Sequence, residues 1–510
     1  MALYLYLLAG LLALALSRFL QQPRSGNIIM PPGPPGLPLL GNALQLPREF
    51  LHYKFVEWAK EYGPVFSLNV AGKPWLVVNN WKTAADILDR RSAVTSDRLP
   101  SIKSQQFLAR NNAMVGGPHG PLWRLFRKGT HESLNIRACS AYCSMQEEEA
   151  GHTVRGLLEH PELPIEVHMS RTASSVVWRV LYGGDSLPLN QYHGGQRIEK
   201  MMDYLLKANL PLNSVVDTFP FLRPVIANSK WLRRRADEWY EEMTAIFNQF
   251  YDESCSRTVS TGSDSYRSTC KIFQAMVEKE EITKVRGAWS VGTTFMAGQD
   301  TTATQMRWFV QAMMLYPEVA KKAHEELDRV VRDRPPTFGD RENLPYIQAV
   351  VKEVLRWRPS APLSIPHYSS EEFEYNGYVI PKGTFILDNI WATLHDPELY
   401  PDPSTFNPSR FLDEHGQVRA APLDTHDDLL GFGHGRRVCP GKDLAVNSMY
   451  ILIATLLWAL EFKLPVDESG KEVVPDPMEM VDIFIAVHPK SFKFNVAPRF
   501  PDVLERLGVS

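Results

Sequence analysis

Reactive residue types are most concentrated in residues 431–441, GFGHGRRVCPG. Cys439 offers a soft anionic ligand, and Arg436 and Arg437 beside it suit a metal cofactor that also carries carboxylates. Gly431, Gly433, Gly435 and Gly441 allow the backbone to bend close against something flat. Pro440 fits the first turn of a helix, where a missing N–H costs little, and the apolar run 444–460 continues as a buried helix. Cys439 is therefore expected at a positive helix end, which lowers a thiol's pKa and favours thiolate. A lone cysteine in a Gly-rich loop is ordinarily a small hydrophobe. The arginines beside this one, and three further motifs, argue for more.

The first of these is residues 297–302, AGQDTT, which set Gly298, Asp300, Thr301 and Thr302 inside a helical segment of about residues 283–316. Intrinsic propensity disfavours these types in mid-helix, and hydroxyls returning to backbone carbonyls predict a bend. In the second, Glu353 and Arg356 share a helix face, and Arg410 follows in Pro408-Ser409-Arg410-Phe411. On a surface such a pair is worth roughly a few tenths of a kcal/mol. In the third, Trp123 and Arg127 are four apart and share a face; alone they would make a surface cation–π contact.

Phe432, Gly433, Gly435, Arg437, Cys439 and Gly441 match, position for position, the haem-binding signature of the cytochromes P-450, and the chain resembles that family of haem-thiolate monooxygenases. The resemblance implies haem b with Cys439 as the iron's axial ligand, Phe432 shielding the sulfur and Arg437 on a haem propionate. It gives Trp123 and Arg127 to the propionates, while His367 either reaches one or is merely exposed. Residues 297–302 match the oxygen-activating motif, with Thr301 directed at bound oxygen, Asp300 delivering protons and Gly298 leaving room over the haem. Glu353, Arg356 and Arg410 would form a charged network bracing the proximal core. Many members carry Glu where this chain has Ser409, but the arginine of the network is intact. The motifs stand in family order along nearly the whole chain. They imply a single large P-450 fold, mostly α with small β-sheets.

The implied reaction inserts oxygen from O2 into a small apolar substrate. The chain carries no flavin or nicotinamide fingerprint, so NADPH–cytochrome reductase would supply electrons, docking on Arg124, Lys128, Arg436 and Lys442. The overall look is similar to fungal microsomal members that tailor secondary metabolites, of the O-methylsterigmatocystin oxidoreductase type. Two other classes share the fold: an isomerase or dehydratase needing no outside electrons, and a non-catalytic haem-binding protein. Retained Asp300 and Thr301 argue against both.

The elements that must position these residues are legible in outline. With 510 residues, length alone suggests about three domains at roughly 150 residues each; the resemblance suggests one. A net charge of -3 gives no sign of a nucleic-acid partner. The five cysteines, Cys139, Cys143, Cys255, Cys270 and Cys439, form no C-x-x-C pair, which favours a reducing compartment over a disulfide framework. Residues 1–20 are expected to be an N-terminal transmembrane signal-anchor, with Arg18 snorkelling; a cleaved signal peptide is the competing reading. Arg18 and Arg24 follow the apolar run, so the body would face the cytosol from a single pass in the endoplasmic reticulum membrane. Residues 21–38 read as a stiff Pro-rich linker and 39–510 as the haem-thiolate domain. Helices are expected at 49–60, 80–91 and 346–357, and a hairpin at 65–69 and 75–79 around Gly72. By resemblance 198–250 roofs the substrate channel, with a Pro-broken loop near 211–224, and 253–269 reads as a solvated loop. Strands are expected at 374–380, 385–388 and 481–487, the last entering the substrate cavity.

Overall fold

The computed structural model describes residues 30–508, apart from 100, 190–203, 205–207, 209–213, 219–221, 258–265, 422–428 and 483–485. The expected anchor, much of the channel-roof loop and the middle of the 253–269 loop lie outside the described residues. Among those described, no helix is long and apolar enough to cross a membrane.

Residues 31–38, expected as a linker, run along the first strand. Proline lacks an N–H but keeps its carbonyl, and here the carbonyls are used. Ser67 donates from its backbone N to Pro32 O at 3.0 Å and from its hydroxyl to Pro31 O at 2.6 Å. Next come α1 (Leu51–Tyr62) and the hairpin of β1 (Val65–Val70) and β2 (Lys73–Val78), which turns through Ala71 and Gly72, both at positive φ. A short helix from Trp81, capped by Asn80, passes into a π-helical segment, Ala85–Arg90.

The helical body is α2 (Pro121–Leu134), α3 (Cys143–Glu159), α4 (Ile165–Tyr182), α5 (Lys230–Ser256), α6 (Thr269–Glu278), α7 (Lys284–Leu315), α8 (Pro317–Val330) and α9 (Pro345–Trp357). Thr283 caps α7 by accepting from the Arg286 N–H, and Pro317 opens α8 where its missing N–H costs little. Then follow β3 (His367–Tyr368), β4 (Phe373–Tyr375), β5 (Tyr378–Ile380), β6 (Phe385–Asp388), α10 (Lys442–Ala459), β7 (Leu460–Lys463), β8 (Met480–Asp482), β9 (Val487–Pro489) and β10 (Asn495–Pro498).

Two single-strand expectations become hairpins. Residues 374–380 divide into β4 and β5 around Asn376 and Gly377, both at positive φ; Asn-Gly is a two-residue turn signal. Residues 481–487 divide into the paired β8 and β9. One four-stranded sheet runs β1-β2-β6-β3, with β2 and β6 parallel. It sets Asp388 beside Val78 and His367 opposite Ile386.

The core wraps α7, which packs against α4, α5, α6 and α10. Trp289 and Trp308 on α7, Trp357 on α9 and Trp458 on α10 are fully buried. Each such ring removes roughly 150–250 Å² from water, worth about 4–6 kcal/mol before entropy is counted. The approach of α5 to α7 depends on Gly292: a Cβ there would run into the ring of Phe247.

Charge is also buried. Glu353 on α9 is fully enclosed, Arg356 is 2 % exposed, and Arg410 joins them from the 3-10 turn Pro408–Phe411. Arg356 donates from Nε to Glu353 Oε2 at 2.6 Å and from a terminal nitrogen to Oε1 at 2.9 Å. Arg410 Nε and the Asn407 N–H donate to the same carboxylate at 3.2 and 2.7 Å. Remaining donors of Arg356 reach the Leu394 and Pro403 carbonyls, so the network ties the 394–410 loops to α9.

Two stability outcomes follow. Arg356→Ala strands the Glu353 carboxylate and is expected to cost about 3–5 kcal/mol. Gly292→Ala gains up to about 1 kcal/mol of helix propensity but overpacks Phe247, for a net loss of about 1–2 kcal/mol. Denaturant unfolding of the full chain measures both.

Candidate active site

The loop bearing Cys439 closes on itself. The Cys439 N–H donates to Phe432 O at 2.8 Å, and the Arg437 N–H to His434 O at 3.1 Å. Gly433 and Gly435 sit at φ 80° and 54°, where a side chain is strained. At Gly435 a Cβ would also run into the Leu88 carbonyl oxygen, because the loop lies directly on the π-helical segment. Asp89 of that segment accepts the Gly435 N–H. The His434 ring lies between two carboxylates, with Nδ1 3.3 Å from Asp89 Oδ2 and Nε2 3.1 Å from Asp388 Oδ2. Burial pushes this imidazole down, but the carboxylates outweigh it and raise the pKa to about 10. Phe432 and Gly441 are half-buried at the two ends of the loop.

Helix α10 starts at Lys442, so Pro440 lies in the turn before it and Cys439 three residues ahead. The expected lowering of the thiol pKa is overturned. Desolvation pushes the Cys439 thiol up; the Gly441 N–H, Arg127 and Lys442 pull it down, and Asp443 adds to the rise. Burial wins.

Around the loop stand three arginines. Arg437 donates to Ser96 O at 2.8 Å and Gly117 O at 2.7 Å, and its guanidinium lies 4.3 Å from the centre of the Trp123 ring. Trp123 is buried, and its cation–π partner is Arg437 rather than Arg127. Arg127 donates instead to Val438 O at 2.7 Å. Arg98, which has no local sequence pattern to mark it, donates to Ile365 O and Pro366 O at 2.7 and 2.8 Å. Its Nε is buried without a partner among the described residues. Among the described residues none of the three is paired with a carboxylate. Desolvation holds Arg98 well below the usual arginine range, lowers Arg127 and brings Arg437 down to about 10. His367 is not exposed: it is buried on β3 with Nδ1 2.8 Å from Thr95 O. Burial, then Arg98, hold it well below 6.5, so its imidazole is neutral.

On α7, Thr301 is exposed midway along a largely buried helix. Its hydroxyl donates to Ala297 O at 3.1 Å, the expected back-bond, yet the helix runs unbroken through it. A Cβ at Gly298 would meet Val177 of α4 at 3.0 Å, so the glycine admits the close approach of α4. Thr302 faces a small cavity with Gln146, Glu149 and Ser448. Asp300 turns toward β9, where His488 Nε2 lies 3.2 Å from its Oδ2. Arg307 fixes the same strand by donating to Pro489 O at 2.7 Å. His488 escaped the sequence reading because pairing across some 190 residues leaves no local signal. Of the expected docking cations, Arg124, Lys128 and Arg436 are exposed, with Lys128 3.9 Å from Glu281, and Lys442 is half-buried.

The chain is similar to known proteins along most of its length. The family model described as Cytochrome P450 matches residues 31–496. Cytochrome P450 monooxygenase 58 of Postia placenta is 38% identical over 503 residues, covering 98% of this chain and 95% of that protein. A cytochrome P450 monooxygenase of Armillaria gallica is 38% identical over 493 residues, covering 95% and 92%. A solved zebra fish cytochrome P450, a structure with abiraterone, superimposes with a TM-score of 0.69 at 24% identity, covering 88% of this chain and all of that one, a likeness of fold. On the sequence match and the shared architecture together, this chain belongs to the cytochrome P450 family.

Proposed function

We propose that the chain is a haem-thiolate monooxygenase that oxidises a small apolar molecule in fungal secondary metabolism. One observation carries this reading: three arginines around the cysteine loop, Arg98 buried and Arg127 and Arg437 half-buried, pair with no carboxylate among the described residues. An anionic planar cofactor binding through iron fits that donor set on both counts. Its carboxylates would restore the charge that burial disfavours on Arg98, Arg127 and Arg437, and its metal would deprotonate the thiol outright.

Haem, when bound, supplies the activation of O2 and the insertion of one oxygen atom into substrate. Cys439 would be its thiolate ligand, with Phe432 beside the sulfur and Gly433, Gly435 and Gly441 shaping the loop. Arg98, Arg127 and Arg437 would hold the propionates, with Trp123 stacked beneath Arg437 and neutral His367 bracing the edge. Thr301 would present its hydroxyl as the positioned donor, and Asp300, backed by His488, would hand on the proton. Electrons would come from NADPH through cytochrome reductase, docked on Arg124, Lys128, Arg436 and Lys442. Residues 1–20 would anchor the chain in the endoplasmic reticulum membrane with this domain on the cytosolic side.

The test is a carbon monoxide difference spectrum of the reduced protein in microsomes. A strongly red-shifted Soret band that disappears in Cys439→Ala supports the thiolate; an unshifted band in wild type rejects it. Thr301→Ala is expected to keep the band and NADPH oxidation but to release peroxide several-fold more often per NADPH. Unchanged coupling removes the role given to Thr301, and product formed without reductant would favour the isomerase or dehydratase instead.

A further inference from the structure

His434 lies inside the cysteine loop, and the sequence motif assigns it nothing. It is 6 % exposed and faces two acids from two separate elements: Asp89 on the π-helical segment and Asp388 at the end of β6. An ionised carboxylate only accepts hydrogen bonds, so both ring nitrogens of His434 must carry protons for both contacts to form. The third ionisable neighbour is His367 on β3, which is neutral and pushed further down by His434 itself. Among the described residues Asp388 Oδ1 is buried with no hydrogen-bond partner, which leaves the imidazolium as the close cation there for that carboxylate. Asp89 meanwhile binds the next residue of the loop through the Gly435 N–H. The His434 carbonyl accepts the Arg437 N–H, so moving His434 moves the turn that leads to Cys439.

We propose that His434 is a positioning residue, a buried imidazolium that pins the cysteine loop between the π-helical segment and the four-stranded sheet and thereby fixes where the Cys439 sulfur is held. The clamp is a property of the polypeptide; its effect on the haem rests on the function proposed above. The raised pKa of His434 sets its pH window. A group whose folded pKa exceeds its unfolded value stabilises fully below the unfolded value, about 6.5 here, and loses that contribution as pH rises through about 10.

The test compares full-length wild type with His434→Gln, which is neutral and cannot donate to both acids, and with His434→Gln/Asp388→Asn, which also removes the more deeply buried of the two carboxylate charges and keeps a folded comparison available. Hydrogen exchange at pH 7 is expected to be at least about tenfold faster in residues 431–441 of both variants, with α7 unchanged. The wild-type advantage in thermal midpoint over His434→Gln is expected to be largest near pH 6.5 and gone by about pH 10. In the haem-loaded double variant, held well below its thermal midpoint and with wild-type exchange in α7, part of the carbon monoxide band should move to the unshifted position. Wild-type exchange rates in 431–441 of both variants would overturn the proposal, as would an unmoved band in a folded double variant. Exchange reports without haem, so a wild type lacking the red-shifted band would reject the thiolate assignment while leaving the clamp to be judged on its own readout.

Discussion

Everything around the candidate site depends on the cost of taking charge out of water. An unpaired buried ion costs several kcal/mol, so each one must meet a partner or lose its charge. The chain uses three solutions within one region. Glu353 is enclosed by Arg356, Arg410 and a backbone N–H. His434 is held charged by acids on both sides. Among the described residues the hydrogen bonds of the Arg98, Arg127 and Arg437 guanidinium groups go to backbone carbonyls, whose dipoles compensate part of a full charge. The first two arrangements are complete within the polypeptide. The third still favours an anion, and this asymmetry separates framework from binding site more sharply than burial does.

Helix α7 meets two demands with interleaved residues. Gly292 and Gly298 face neighbouring helices, each where a Cβ would strike a side chain of α5 or α4. Thr301 and Asp300, close in sequence, face elsewhere: one is exposed and the other meets β9. At 100° per residue a helix can give adjacent positions to packing and to chemistry. A glycine beside a reactive residue is therefore no guide to which of the two it serves, and Gly298 serves packing.

The sequence carried most of the architecture because its strongest signals are local. The hairpin around Gly72 and the long helix expected over about residues 283–316 each rest on residues a few positions apart. Glu353, Arg356 and Arg410 were legible as a set, and the structure brings all three onto one carboxylate cluster. Two hairpins were read as single strands, in one case despite the Asn376-Gly377 turn. What stayed hidden pairs residues far apart in the chain. Arg98 meets Ile365, His488 meets Asp300, and Trp123 lies against Arg437. Spacing along a chain says nothing about such pairs until the sheet and loops have folded them together.

The Cys439 thiol shows how magnitude decides between two correct principles. A helix N-terminus favours a nearby anion by roughly 0.3–1 kcal/mol, and the effect fades within a turn. Cys439 sits ahead of that turn, where the benefit is already falling. Desolvation acts on the sulfur directly and is the larger effect, so the free thiol is pushed toward its neutral form even with Arg127 and Lys442 near. A site of this kind does not hold a standing thiolate for general reactivity. It yields one to a partner able to replace the lost hydration with a bond, and a metal ion does that.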